Sequence, residues 1–238
     1  VRTGLESGWT PEQIAGRLTL HSGNTVVSAK SIYKWLYSVY GNAWCCYLPS
    51  RQYRQRKRRK KVRKVLIPHR RFIELRPRGA ISRRRRGHFE GDTLGVPKGT
   101  GETLAAVVDR ASRYFLAVKI KRLAHAVDGY RKMLDGHRVY SFTLDNGVEH
   151  VRYEELDIPT FFSHPYRSWE KPVIENTFQR LRRFIPKRAR LKDYSDKQIS
   201  VMVERMNRTP RKCLNYRTPE EVFKGIKFNR NRTIGCRI

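Results

Sequence analysis

The spacing of apolar positions changes twice along the chain, and each change marks a different kind of element. In the first 42 residues it is helical. "WTPEQIAGRL" sets Ile14 and Leu18 four apart, with Thr10 placed as a cap, Pro11 at the first helical position and Gln13 three residues after the cap. After a turn containing Gly23, "VSAKSIYKWLYSVY" offers Ser28 as a second cap and Ile32, Trp35 and Leu36 at helical spacing. Two helices, a turn between them and Lys30, Ser31 and Lys34 exposed on the second suit a helix-turn-helix or a plain helical hairpin. The basic surroundings favour the DNA-reading form, with Ser28, Lys30, Ser31 and Lys34 as its contacts.

Periodicity is lost between residues 49 and 86, where "RQYRQRKRRKKVRK" and "ISRRRRGHF" bracket a stretch dominated by Lys and Arg. Mutual repulsion keeps such a segment extended. It suits a solvated linker, and equally an arm that tracks a DNA backbone through Arg56, Lys57, Arg58, Arg59, Lys60 and Lys61. From Gly87 a strand period takes over. "HFEGDTLGV", "TLAAVVDR" and "RYFLAVKI" predict three antiparallel strands, and "AHAVDGYRKMLDG" a helix. "RVYSFTLDNG" and "IPTFFSHP" predict two more strands. A helix from Val173 follows, then a last one capped by Ser195. This order suits an α/β fold of ribonuclease H type, a mixed sheet with flanking helices. The organisation expected is a helix-turn-helix domain over 1–48, a basic linker over 49–86, a catalytic domain over 87–225 and a basic tail over 226–238.

Composition changes the picture through charge. The 238 residues carry 52 Lys and Arg against 21 Asp and Glu, a formal net charge of +31. A hydrophobic fraction of 39% is enough for a packed core, so the excess of cations points to a polyanionic partner. Ribosomal and membrane-surface proteins also run basic, and charge alone does not choose among them. No stretch of about 18 apolar residues, the length a membrane helix needs, is present, and no signal peptide is visible. Cys45, Cys46, Cys213 and Cys236 form no C-x-x-C pair and read as reduced thiols of a cytoplasmic protein. The chain opens at Val1 directly in helix-like sequence, so a natural N-terminal segment is expected to precede it.

Against this background three acids are candidates for a shared site. Asp92 lies on the first strand of the sheet, Asp145 ends the fourth at "LDNG", and Glu175 opens the helix after the fifth. Each has a bland reading: a bulge beside Gly91, a turn residue before Asn-Gly, and complementarity to a helix dipole. Together, two carboxylates about 4 Å apart repel by roughly 4 kcal/mol at an effective dielectric near 20, and a third adds to the cost unless a cation sits among them. Hard oxygen ligands suit Mg, which also binds phosphate oxygens. Glu90, His88, His164, Asp109, Asn146 and Asn176 are weaker candidates, each with an ordinary packing or pairing role open to it.

The motifs "GHFEGDTL", "VDRASRYFLAVKI", "LDNGVEH", "HPYRSWEKPVIENTFQRLRRFIPK" and "NRTPRKCLNYRTPEEVF", with the upstream "WTPEQIAGRL" and "VSAKSIYKWL", resemble the IS-thirty family of insertion-sequence transposases. The likeness runs over nearly the whole chain and is weakest in the basic linker. It implies a DDE catalytic core of ribonuclease H fold behind helix-turn-helix modules, with Asp92, Asp145 and Glu175 as the metal-binding triad. It also implies a DNA contact at Arg182, two helical turns after Glu175. Phe89 and Leu144 stand where the family commonly has Trp, and the stretch from Asp145 to Glu175 is shorter than usual.

The function implied is binding of an element's terminal inverted repeats, cleavage at its ends and joining of the 3′-hydroxyls to DNA. Two Mg ions per site are implied, Mn being a possible substitute, in a homodimer or higher synaptic assembly on double-stranded DNA, associated with a bacterial or archaeal nucleoid. A catalytically silent, domesticated repressor is the alternative. Tyr166 and Trp169 are candidates for stacking on unpaired bases, and Lys171 and Arg182 for phosphate contacts.

Overall fold

A computed structural model of the protein describes residues 1–48, 67–94, 102–165 and 167–226. The expected contacts Arg56, Lys57, Arg58, Arg59, Lys60, Lys61 and Tyr166, Cys236 and nearly all of the 226–238 tail lie outside the described residues. The chain divides into two compact units, one made of residues 1–60 and 207–238 and the other of residues 61–206.

The first unit opens with α1 (Arg2–Glu6), α2 (Pro11–Ser22) and α3 (Ala29–Leu36). Thr10 and Gln13 form the reciprocal cap read from the sequence, and Gly23 ends α2 at a φ of 77° that glycine adopts without strain. The Ser28 hydroxyl accepts the Ser31 N–H at 3.0 Å and opens α3. Leu5, Trp9, Ile14, Ala15, Ile32 and Leu36 close around one another as its core.

Residues 207–226 belong to this same unit, whereas the catalytic domain expected from the sequence extends to residue 225. Arg17 on α2 makes a two-pronged ion pair with Glu221, at 2.6 and 3.0 Å, on the short helix α8 (Pro219–Phe223; α4 to α7 lie in the sheet unit, described next). The Gln13 amide donates to the Pro210 carbonyl at 2.8 Å. Gly16 leaves room for the Tyr216 ring, which a Cβ there would meet at 2.1 Å. Burial pushes the Glu221 carboxyl up, but Arg17 and the Thr218 N–H outweigh it and hold the group below its ordinary value of 4.5. A depressed carboxylate contributes stability above its unfolded pKa and loses it as pH falls. Glu221→Ala is therefore expected to cost about 2 kcal/mol at neutral pH. Thermal melts should show that deficit shrinking below about pH 4; a deficit independent of pH would assign the cost to packing alone.

The second unit contains β1 (Arg71–Phe72), α4 (Arg78–Ser82), β2 (His88–Leu94), β3 (Thr103–Asp109), β4 (Phe115–Ile120) and α5 (Ala126–Leu134). It continues through β5 (Ser141–Leu144), β6 (Thr160–Phe162), α6 (Pro172–Leu181) and α7 (Asp196–Asn207). The strands form one sheet in the order β1-β6-β5-β2-β3-β4. β2, β3 and β4 are antiparallel neighbours, while β5 and β6 add in parallel on the other side of β2. Counted from β2, this is the ribonuclease H arrangement, so the mixed sheet and its flanking helices are as expected.

β1 was not foreseen. It comes from a stretch read as linker, and pairs in parallel with β6 at the sheet edge. Nearby, the guanidinium of Arg85 lies 3.7 Å from the centre of the Tyr140 ring, so part of the basic stretch packs onto the sheet unit. All seven residues of β3 are buried, which is why "TLAAVVD" reads as a continuous apolar run. On one side of the sheet Leu104, Ala106, Val108 and Phe115 join Val173, Ile174 and Leu181 of α6 and Ile199, Val203 and Met206 of α7 in a single core. Phe89 and Leu144 are fully buried.

Candidate active site

Two of the three acids sit on neighbouring parallel strands, Asp92 within β2 and Asp145 directly after β5. Pairing runs His88 with Ser141, Phe89 with Phe142 and Glu90 with Thr143. Carried two residues further, the same register sets Asp92 level with Asp145, and paired residues of parallel strands face the same side. Gly91, between Glu90 and Asp92, faces the opposite side, where a Cβ would lie 2.3 Å from the Phe142 ring.

Glu90 shares the face of Asp92 and is fully buried. One carboxylate oxygen takes the Arg110 guanidinium at 2.9 Å, and the other accepts the backbone N–H groups of Val173 and Ile174 at 3.0 and 2.9 Å. These are donors that the first turn of α6 leaves without an intrahelical partner. Glu90 thus pins the N-terminus of α6 to β2, and Glu175, one residue on, is half-buried in that first turn. The pairing role open to Glu90 is filled by an arginine inside the protein. Burial lowers the Arg110 pKa to about 10 against the opposing pull of Glu90.

Lys171 caps α6, and its side chain is only 4% exposed. Its ammonium lies 3.0 Å from Asp92 Oδ2, 3.6 Å from Asp145 Oδ1 and 3.2 Å from the Gly91 carbonyl oxygen. Burial works to lower its pKa, but the two aspartates more than reverse this and raise it. Asp145 shows the mirror image. Burial pushes it up, while Lys171, the adjoining His150 imidazole and the Gly147 N–H together hold it far below the ordinary carboxylate range. A phosphate contact is the expectation for Lys171; in the structure its ammonium pairs with both aspartates.

Two residues of the site escaped the sequence reading. His150 is fully buried, with Nε2 3.0 Å from the Tyr130 hydroxyl and Nδ1 2.9 Å from Asp145 Oδ1 and 3.2 Å from the Asp145 carbonyl oxygen. Both ring nitrogens are therefore engaged, and the ring fixes the Asp145 loop. Glu149 accepts from the Thr93 hydroxyl at 3.2 Å, bridging toward the strand of Asp92. Ligand atoms of Asp145, Glu149 and His150 lie within 4.8 Å of one another. Only their closeness to Asp145 in sequence would have pointed to them.

The donor set fits a divalent cation. It offers carboxylate oxygens from Asp92 on β2 and from Asp145 and Glu149 after β5. Hard oxygens in this arrangement suit Mg or Mn better than a thiophilic metal.

The remaining candidates sort plainly. Asp109 accepts from the Gly87 N–H and from the Ser112 N–H and hydroxyl, and so braces a turn. His88 is buried against Ser141 at 2.8 Å. His164 stacks on Phe72, with ring centres 4.8 Å apart, and lies 3.2 Å from Glu170. Asn146 is held by Arg70 and by the Ser163 carbonyl oxygen, at 2.6 and 2.5 Å, and Asn176 is exposed. Trp169 is 68% exposed on the loop before α6, and Arg182 ends that helix.

A ribonuclease H-like sheet with two aspartates level on neighbouring parallel strands defines the class of integrase-type cores. No family model matches the chain. It is 34% identical over 242 residues to the transposase for insertion sequence element IS4351 of Bacteroides fragilis, covering 95% of this chain and 72% of that protein. It is 30% identical over 240 residues to the transposase InsI for insertion sequence element IS30A of Escherichia coli K12, covering 92% of this chain and 62% of that protein. The transposase for IS1086 of Cupriavidus metallidurans is 29% identical over 248 residues, covering 96% of this chain and 72% of that protein. Among solved structures, the catalytic core domain of BIV integrase superposes with a TM-score of 0.45 at 18% identity, over 58% of this chain and 94% of that one. The chain belongs to the IS30 family of insertion-sequence transposases. No helix among the described residues is long and apolar enough to cross a membrane.

Proposed function

We propose that this protein binds the terminal inverted repeats of an insertion sequence, cuts at their ends and joins the freed 3′-hydroxyls to target DNA, both steps occurring at Asp92, Asp145 and Glu175. The observation that carries the reading is the pairing of Asp92 and Asp145 around a single buried ammonium, with the Glu175 turn tied to the same strand through Glu90. A site built only to stabilise the fold gains little from such a cluster, since two like charges at close range cost energy unless compensated. The acids would hold two Mg or Mn ions, and the chemistry such ions would supply is activation of the attacking oxygen and stabilisation of the leaving one. Asp92 and Asp145 would supply ligand oxygens, Glu149 would offer another from the loop after β5, and His150 keeps Asp145 in place. The chain positions the phosphodiester and excludes competing geometries. Two ends must meet for joining, so a dimer or larger assembly forms on DNA.

Strand transfer with preprocessed end DNA tests this reading. Joined product in the presence of Mg or Mn supports it, cleavage without joining leaves a plain nuclease, and DNA binding with neither step leaves a repressor.

Sequence reading is assigned to α3 and phosphate contact to the basic segment. Replacing Lys30, Ser31 and Lys34 together by Ala is expected to narrow the gap between end and random DNA by about 1–3 kcal/mol for each base no longer recognised. Replacing Arg56, Lys57, Arg58, Arg59, Lys60 and Lys61 by Gln should weaken both DNAs alike. It should also flatten the slope of log affinity against log salt by roughly 0.9 per phosphate no longer neutralised. Affinities for both DNAs at several salt concentrations check the two outcomes. The two effects exchanged between the variants would reverse the assignment.

A further inference from the structure

Lys171 is a costly residue to bury. Its side chain is 4% exposed, and its three donors face Asp92, Asp145 and the Gly91 carbonyl oxygen. Removing an ammonium from water is costly, so burial of this kind persists only with close counter-charges. Those counter-charges are two of the acids proposed to hold metal. One ammonium and one divalent ion do not share the same carboxylate oxygens at these distances, because cation–cation repulsion is added to the loss of ligands.

We propose that Lys171 is a built-in counter-cation, a positioning residue that keeps the metal-free site assembled by occupying the place between Asp92 and Asp145, and that a divalent ion has to displace it. The inference rests on the reading of Asp92 and Asp145 as metal ligands. Its structural logic lies in α6. The Lys171 carbonyl oxygen accepts the Glu175 N–H at 3.3 Å, so the ammonium and the third acid are carried by one helical turn. Glu90 holds the Val173 and Ile174 N–H groups independently, so the Lys171 side chain can leave the acids while the turn that presents Glu175 stays docked. The exchange makes metal affinity lower than the carboxylates alone would give, and keeps like charges from opening the site when no metal is present.

The test is calorimetric titration of the full chain with Mn2+ alone, without DNA. Lys171→Met keeps an unbranched side chain, one heavy atom shorter, and removes its charge. It is expected to bind Mn2+ at least about tenfold more tightly than the unmodified protein, since an opposing unit charge at ligand distance is worth more than a factor of ten. Lys171→Arg, which retains the cation, should show no such gain. A second measurement needs no variant: acylation of Lys171 by an amine reagent, followed by mass spectrometry, should be slow in metal-free protein and several-fold faster at saturating Mn2+. Equal or weaker Mn2+ binding by Lys171→Met, or a labelling rate unmoved by Mn2+, overturns the inference and leaves the acids as ligands. Failure of the unmodified protein to bind Mn2+ at all overturns both.

Discussion

Asp92→Asn, Asp145→Asn and Glu175→Gln are each expected to lower cleavage and strand transfer at least about a thousandfold, equivalent to roughly 4 kcal/mol of transition-state stabilisation. DNA binding should remain within a few-fold. The carboxamides keep size and shape, so what is lost is one negative charge and one good oxygen ligand at a position where developing charge has to be held. The loss should not come from unfolding. Asp92 and Asp145 are partly exposed, and neither belongs to the apolar core. In the two aspartate variants Lys171 keeps one carboxylate partner and the Gly91 carbonyl oxygen. Gel-based strand transfer with Mg, run beside a binding assay on the same end DNA, separates chemistry from recognition. A variant that retains strand transfer near the unmodified level would remove its residue from the site.

The second large effect is expected at Glu90. Glu90→Leu leaves Arg110, whose side chain is 3% exposed, with an uncompensated buried charge. It also leaves the Val173 and Ile174 N–H groups without their acceptor. Breaking a buried pair by removing one partner costs about 3–5 kcal/mol. For a unit of this size that corresponds to a drop of roughly 10 °C in melting temperature. The active site should suffer as well, because these hydrogen bonds fix the turn that carries Glu175. Glu90→Gln separates the contributions. It preserves an acceptor for α6 but not the charge facing Arg110, so it should fall between Glu90→Leu and the unmodified protein in stability and in strand transfer. A melt of Glu90→Leu within about 1 °C of the unmodified protein, well inside the expected shift, would mean that α6 is held by the apolar contacts of Val173, Ile174 and Leu181 alone.

Much of this protein was legible along the chain because helices and strands are local. The caps at Thr10, Ser28 and Ser195 form through residues three positions away. The strands β2 to β6 and the helices α5 to α7 follow from short-range periodicity and turn residues. The family resemblance likewise lies in contiguous motifs such as "LDNG" and "VIENTF". What only the tertiary structure decided involves charges whose environment is set by distant partners. Lys171 and Glu90 look like surface residues in a basic chain, and both are buried because Asp92, Asp145 and Arg110 arrive from other strands and turns. β1 is two residues long and lies in arginine-rich sequence, so only an open edge at β6 makes it a strand. The C-terminal stretch joins the first unit because Gln13 and Arg17 find partners at Pro210 and Glu221, about two hundred positions away. Spacing along a chain reports which face a residue shares with its neighbours; it carries no record of which opposite charge the fold brings to that face, and in this protein that pairing shapes the site.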